Sequence, residues 1–216
     1  MRKTAQSRSN TLKIMWKIIK KLIRGEDILV VRQTAEHWDA QFEKGRWDFL
    51  VNDQRNQGHV AIMASWCQQL AEEKRIKILD VGCGNGALAK ALSKLATHNY
   101  EYYGLDISQI GLNQLKTILP EAHLICANAE TPPHFSIQFN VIIFSEVLYY
   151  LDFRKILDVY KSLLNSDGLI IISLYDTWRT KIIWWKINKK LDAILTYKVY
   201  NKNKGVGWKI KLAKIR

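Results

Sequence analysis

The chain has 216 residues, 48% of them hydrophobic and 25% charged, which is enough for one compact domain with its own core and too few for two ordinary ones. Cys67, Cys83 and Cys126 are odd in number and widely spaced, which argues against a disulfide framework; no Cys/His cluster has zinc spacing, so no metal is expected, and a reducing, cytoplasmic setting fits best. The net charge of +13 is uneven, with +8 over residues 1–24, −6 over residues 25–176 and +11 over residues 177–216; this disfavours a uniformly basic nucleic-acid binder and leaves a membrane or polyanion contact at the ends open.

Residues 1–10 are polar. In TLKIMWKIIKKLIR, residues 11–24, the bases Lys13, Lys17, Lys20, Lys21 and Arg24 fall on one side of a helix. Leu12, Met15, Trp16, Ile19, Leu22 and Ile23 fall on the other, and Gly25 is a natural stop. The pattern predicts a basic amphipathic helix. It suits either a helix packed on the domain or a peripheral contact with an anionic membrane. No apolar run approaches the roughly 20 residues of a membrane span, and the N-terminus lacks a secretory pattern.

Residues 30–50 read as helical, with Trp38, Phe42, Trp47 and Phe49 as aromatics, and residues 58–73 read as a second helix. The expected division is an N-terminal helical extension over 1–57 and a domain over 58–216. From residue 76 short apolar runs alternate with helical segments: IKILDVG (76–82), YYGLDIS (102–108), HLICANA (123–129), FNVIIFSE (139–146) and GLIIISLY (168–175). Continuous apolar strands separated by helices predict an α/β fold with a parallel sheet buried on both faces. The end differs. AILTYKVYNK and GWKIKLAKI flank turn residues Asn203 to Gly207 and predict a final antiparallel hairpin.

The strongest motif is ILDVGCGNGAL, residues 78–88. Gly82, Gly84 and Gly86 follow a strand and lead into a helix. Glycine there permits a tight turn and close approach of a ligand, and the helix N-terminus offers free N–H groups. Asp106 ends the next strand, where a carboxylate can accept both hydroxyls of a ribose or cap the following helix together with Ser108. Two cofactor classes fit such a loop. Asp80 sits just before it; a carboxylate there would repel a pyrophosphate and favour a cationic amino-acid moiety, which points away from a nicotinamide dinucleotide and towards S-adenosylmethionine.

These segments resemble the class I S-adenosylmethionine-dependent methyltransferases. Asp80 to Gly86, with Cys83 inside the loop, is similar to that family's first motif, and Asp106, followed by Ile107, to its ribose-binding acid. ANAE, 127–130, resembles the adenine-contacting segment, with Asn128 where Asp is usual and Ala129 beside it. FNVIIFSEVLYYL, 139–151, resembles the fourth-strand motif of a subgroup holding nodulation-type N-methyltransferases and glycan-associated methyltransferases, with Asn140 replacing an Asp. GRWDFL, 45–50, is similar to that subgroup's substrate-side segment.

The resemblance implies a Rossmann-like sheet of seven strands in the order 3-2-1-4-5-7-6, strand seven antiparallel. It also implies S-adenosylmethionine as cofactor, touched by Asp80, Gly82, Cys83, Gly84, Gly86, Asp106, Ile107, Asn128, Ala129 and Ser145. Glu146 would orient the donor or act as base, or merely pair at the strand end. His134 and His59 are further candidate bases. Trp47, Tyr149 and Tyr150 are candidate acceptor contacts, and Trp38 and Trp66 either stack on a ligand or pack the helices. The nucleobase-type Pro-Pro-Tyr signature is missing, so a small molecule or saccharide is the expected acceptor. The competing readings are a nicotinamide-dependent oxidoreductase and a non-catalytic binding subunit docking through its basic ends.

Overall fold

The computed structural model describes residues 30–52, 58–96, 99–201 and 205–216. The amphipathic segment 11–24 lies outside the described residues. Arg32–Arg216 form one compact unit. Its order is α1 (Ala35–Glu43), α2 (Asp48–Asn52), α3 (Gly58–Glu73), β1 (Ile76–Val81), α4 (Ala87–Leu92), β2 (Tyr100–Asp106), α5 (Gln109–Ile118), β3 (His123–Cys126), β4 (Phe139–Ser145), α6 (Ile156–Lys161), β5 (Leu164–Tyr175), α7 (Trp178–Ile187), β6 (Leu191–Asn201) and β7 (Val206–Ile215).

The strands form one sheet in the order β3-β2-β1-β4-β5-β7-β6. β1 to β5 pair in parallel, and β7 runs antiparallel to both β5 and β6. This is the expected order. Ile76, Ile78, Leu79 and Val81 of β1 and Val141 to Phe144 of β4 are fully buried, because helices cover both faces. The core beneath α3, α4 and α5 joins Met63, Trp66 and Cys67 to Leu88, Leu92, Leu112 and Leu115.

Two local differences from the sequence reading have physical causes. The segment read as one helix over 30–50 is broken: Gly45 takes φ 62° and turns the chain between α1 and α2. β5 begins at Leu164, four residues before its apolar run, because Leu164 pairs with Phe139 before a shift in register. Asn140, the departure from the usual Asp, lies on β4 and its Oδ1 accepts from Lys77 N at 2.8 Å, tying the starts of β1 and β4 together. Among the described residues no helix is long and apolar enough to cross a membrane.

Candidate active site

Parallel strands bring the carboxyl ends of β1, β2, β3, β4 and β5 to one edge, where ligands of open α/β sheets bind. The glycine loop leaves β1 there. Gly82 N and Cys83 N both donate to Leu105 O, at 2.7 and 3.2 Å, so the loop folds over the end of β2. Gly82 has φ 72°, and a Cβ on it would lie 2.5 Å from Val147 Cγ2. Gly84 has φ 53°, and a Cβ there would meet the Phe42 ring at 3.1 Å. Both positions therefore require glycine for conformation and for space. Gly86, also left-handed, is the N-cap of α4 and makes no side-chain cap.

Asp106 is buried at the end of β2. Its Oδ2 accepts from Gly84 N at 2.8 Å and its Oδ1 from Ser108 N at 2.8 Å. Burial pushes its carboxyl up, while the N–H donors of Ser108, Gly84 and Ile107 hold it down. The helix cap is Ser108, whose Oγ accepts from Gly111 N at 3.0 Å. Asp106 thus stands between the loop and α5 and holds the loop in place.

Asp80 is buried beneath the loop. Its Oδ2 accepts from Tyr102 Oη at 2.7 Å; its Oδ1 is buried and meets no hydrogen-bond partner among the described residues. Burial pushes its carboxyl up to about 7, against the pull of the Tyr102 bond and with a further push from Asp106. A buried carboxylate oxygen left unmatched fits a cationic donor arriving from a ligand.

On the β3 side, Ile107 is half-buried and its carbonyl lies 3.6 Å from Cys126 Sγ. Asn128 is exposed, and its Oδ1 accepts from Glu130 N at 2.9 Å. The oxygen expected to meet an adenine amino group is thereby partly engaged, with one lone pair left. Ala129 is buried and its carbonyl accepts from Tyr160 Oη at 3.1 Å.

Ser145 closes β4 opposite Ser173 of β5. Glu146 follows, half-buried, with φ 58°, the one described non-glycine residue of positive φ. Such a backbone costs about 1–3 kcal/mol and persists because donors from several elements fix the side chain. Oε2 accepts from Tyr149 Oη and from Tyr175 N at 3.2 Å, and Oε1 accepts from Ser173 Oγ at 3.2 Å. Loss of water pushes the carboxyl up to about 7; Tyr149, Ser173, Tyr175 and Trp208 pull it down. Strain and a raised carboxyl at one residue are marks of a functional position.

An aromatic wall stands beside Glu146. Trp38 meets Tyr150 edge-on with centroids 5.0 Å apart, and lies 5.9 Å from Trp47. Tyr149 and Tyr150 are 4.9 Å apart. The Trp47 Nε1 is buried and meets no partner among the described residues. Sequence reasoning missed how α1 reaches this site: Asp39 Oδ1 accepts from Ser108 Oγ at 2.6 Å and from Ile110 N at 3.1 Å.

A methyltransferase-domain family model matches residues 54–194, from before the glycine loop to β6. The chain belongs to that methyltransferase family. With the fold, the match makes it a class I S-adenosylmethionine-dependent methyltransferase and selects between the two cofactor classes that the loop alone left open. No curated protein matches the chain in sequence. Among solved structures, a TehB-like methyltransferase from Corynebacterium glutamicum superposes with a TM-score of 0.62 at 19% identity, covering 82% of this chain and 98% of its own. The N-methyltransferase NodS from Bradyrhizobium japonicum, solved with S-adenosylhomocysteine, gives 0.63 at 13% identity, with coverage of 82% and 98%. Magnesium protoporphyrin IX methyltransferase from Synechocystis gives 0.62 at 14%, with coverage of 83% and 94%. At these identities the likeness is one of fold.

In this methyltransferase His134 stands apart from Glu146, and His59 is separated from it by the Trp208 ring. His134 is exposed, next to Phe135, which packs on Phe139 at the start of β4 and so at the opposite end of that strand. His59 is buried and stacked on Trp208 with centroids 4.6 Å apart, so the indole lies on its ring. Trp66 is a core residue, 5.9 Å from the Tyr197 ring.

Proposed function

We propose that this methyltransferase transfers a methyl group to an oxygen or nitrogen of a small molecule or saccharide, within or near the nodulation-type subgroup. The observation that carries the reading is the strained Glu146 carboxylate beside the aromatic wall of Trp38, Trp47, Tyr149 and Tyr150.

Asp80 Oδ1 fits the donor's ammonium, and Asp106 fits its ribose hydroxyls. Gly82, Cys83, Gly84 and Gly86 line the loop; Ile107, Asn128 and Ala129 border the adenine side, and Ser145 the methionine side. When bound, S-adenosylmethionine supplies a methyl group already activated by its sulfonium. The chain's own work is alignment and exclusion of water. Trp47 Nε1 has a hydrogen bond to give to the acceptor. Glu146 takes the acceptor's proton at its carboxylate, a role its raised pKa suits near neutral pH. The segment SEVLYY where nucleobase amino-methyltransferases carry Pro-Pro-Tyr supports an acceptor other than a base.

A cytoplasmic location and a peripheral membrane contact through residues 11–24 complete the reading; the second rests on their sequence pattern alone. A screen of glycans and metabolites with labelled S-adenosylmethionine and mass spectrometry of the products tests it. A labelled hydroxyl or amine is expected. Labelling of a nucleobase, or turnover of none under conditions where donor binds, contradicts it.

A further inference from the structure

Trp178 and Trp185 are 64% and 60% exposed, seven residues apart on α7 and so on one stripe of that helix. The opposite face, Thr180, Ile183, Trp184 and Ile187, is buried. Lys181 lies between the two tryptophans and is exposed, as are Lys186 and Lys189. Residues 177–191 contain no acid. Instead of carboxylates these lysines find a ring: Lys186 and Lys189 Nζ lie 5.7 and 4.4 Å from the Trp185 centroid.

The same side of the sheet continues the pattern. Lys209 and Lys211 of β7 reach Trp184, at 5.4 and 5.5 Å from its ring. On the edge strand β6, exposed Lys198 pairs with Lys209 and exposed Tyr200 with Gly207. Directly paired residues share a sheet face, so both lie on the α7 side. Ile194 is exposed at the bulge of the same edge strand, between Ala193 and Leu195.

We propose that this basic, tryptophan-bearing face docks on an anionic lipid bilayer. Indoles with one apolar body and one N–H settle at the headgroup layer, where lysines meet lipid phosphates. Charge decides among occupants. A second copy of this chain would set lysine against lysine across β6, and a base of a single-stranded nucleic acid would have to displace Lys186 and Lys189 from the Trp185 ring to stack there. A bilayer takes indole, alkyl and ammonium groups together. α7 begins three residues after Tyr175, whose N–H binds Glu146, so docking brings a lipid-borne acceptor within reach of the site. The inference stands apart from the acceptor reading, because docking needs no turnover.

Sedimentation of the full chain with phosphatidylcholine vesicles, with and without phosphatidylglycerol, tests it. Wild type is expected to partition onto the anionic vesicles only. A Lys186→Gln/Lys189→Gln variant is expected to lose roughly 30-fold in partitioning, at about 1 kcal/mol for each lysine at the surface. A Trp178→Ala/Trp185→Ala variant is expected to lose partitioning as well. All four side chains are exposed, and both variants should keep wild-type affinity for S-adenosylhomocysteine, which reports their folding. A Lys13→Gln/Lys17→Gln variant separates this face from residues 11–24. Wild type that ignores anionic vesicles overturns the proposal. So does wild-type partitioning by both α7 variants, or loss of RNA binding in them while vesicle partitioning is unchanged.

Discussion

The Tyr149 hydroxyl donates to Glu146 Oε2 across a turn that Glu146 itself opens with a left-handed backbone. The acid thereby looks back on Ser173 and Tyr175 of β5 as well as forward to its own turn. Replacing the carboxylate with an amide keeps the shape and removes the base. In Glu146→Gln, turnover is expected to fall about 10²-fold or more, the usual scale of a lost general base, with S-adenosylhomocysteine affinity retained. Wild-type turnover should rise as pH climbs through about 7, where Glu146 loses its proton, and the variant should lack that rise. Steady-state rates across pH check both.

Asp80 couples folding and binding to pH. Its ordinary value is 3.8, and burial raises it to about 7. Between those values the folded chain holds a proton that the unfolded chain has released, so this group makes stability fall as pH rises across that window. Thermal melts in Asp80→Asn should show a shallower fall over that range. A cation placed at Oδ1 favours the charged form. S-Adenosylhomocysteine should therefore release a proton on binding near pH 7 and bind more weakly below it. Calorimetry in buffers of different ionisation enthalpy measures that proton.

Much of the fold was legible in the sequence because a parallel sheet covered on both faces forces unbroken apolar runs, as in Ile142 to Phe144 and Ile170 to Ile172. β6 and β7 were legible from turn residues and alternation. The glycine loop and Asp106 were legible because backbone approach and strand ends constrain residue type locally. What was hidden is long-range. Nothing local to Asp39 or Phe42 says that one binds Ser108 and the other covers Gly84, and the donors around Glu146 come from separate elements. The polar start of β5 was hidden too, since the apolar run begins at Gly168 and Leu164 joins the strand only through its pairing with Phe139.

Gly82 tests the loop itself. In Gly82→Ala the new Cβ meets Val147 and the residue sits at φ 72°, so stability should fall by about 1–3 kcal/mol. Adding Val147→Ala should restore only part of it, since the Cγ2 clash is removed while the 2.9 Å approach to Val147 Cβ and the backbone strain stay. Denaturant melts of the single and double variants measure how much of the loss comes from the Val147 methyl groups.

The α1 contacts are expected to be worth a measurable amount. Asp39→Ala removes the partner of Ser108 Oγ and Ile110 N and should cost about 1.5–3 kcal/mol, the range for bonds to a charged group. Limited proteolysis should then cut faster within residues 30–52. His134→Ala is the contrasting case: exposed and beside the start of β4, at the opposite end of that strand from Glu146, it should change turnover by less than about twofold, within the scatter of ordinary surface substitutions.

The central claim is that the loop after β1, with Asp80 below it and Asp106 beside it, is an S-adenosylmethionine site. Isothermal calorimetry of S-adenosylhomocysteine against wild type and Gly84→Arg tests it most directly. Saturable one-site binding by wild type and its loss in Gly84→Arg, whose side chain would fill the space between the loop and Phe42, is the result expected. No binding by wild type, or undiminished binding by a folded Gly84→Arg, would contradict it.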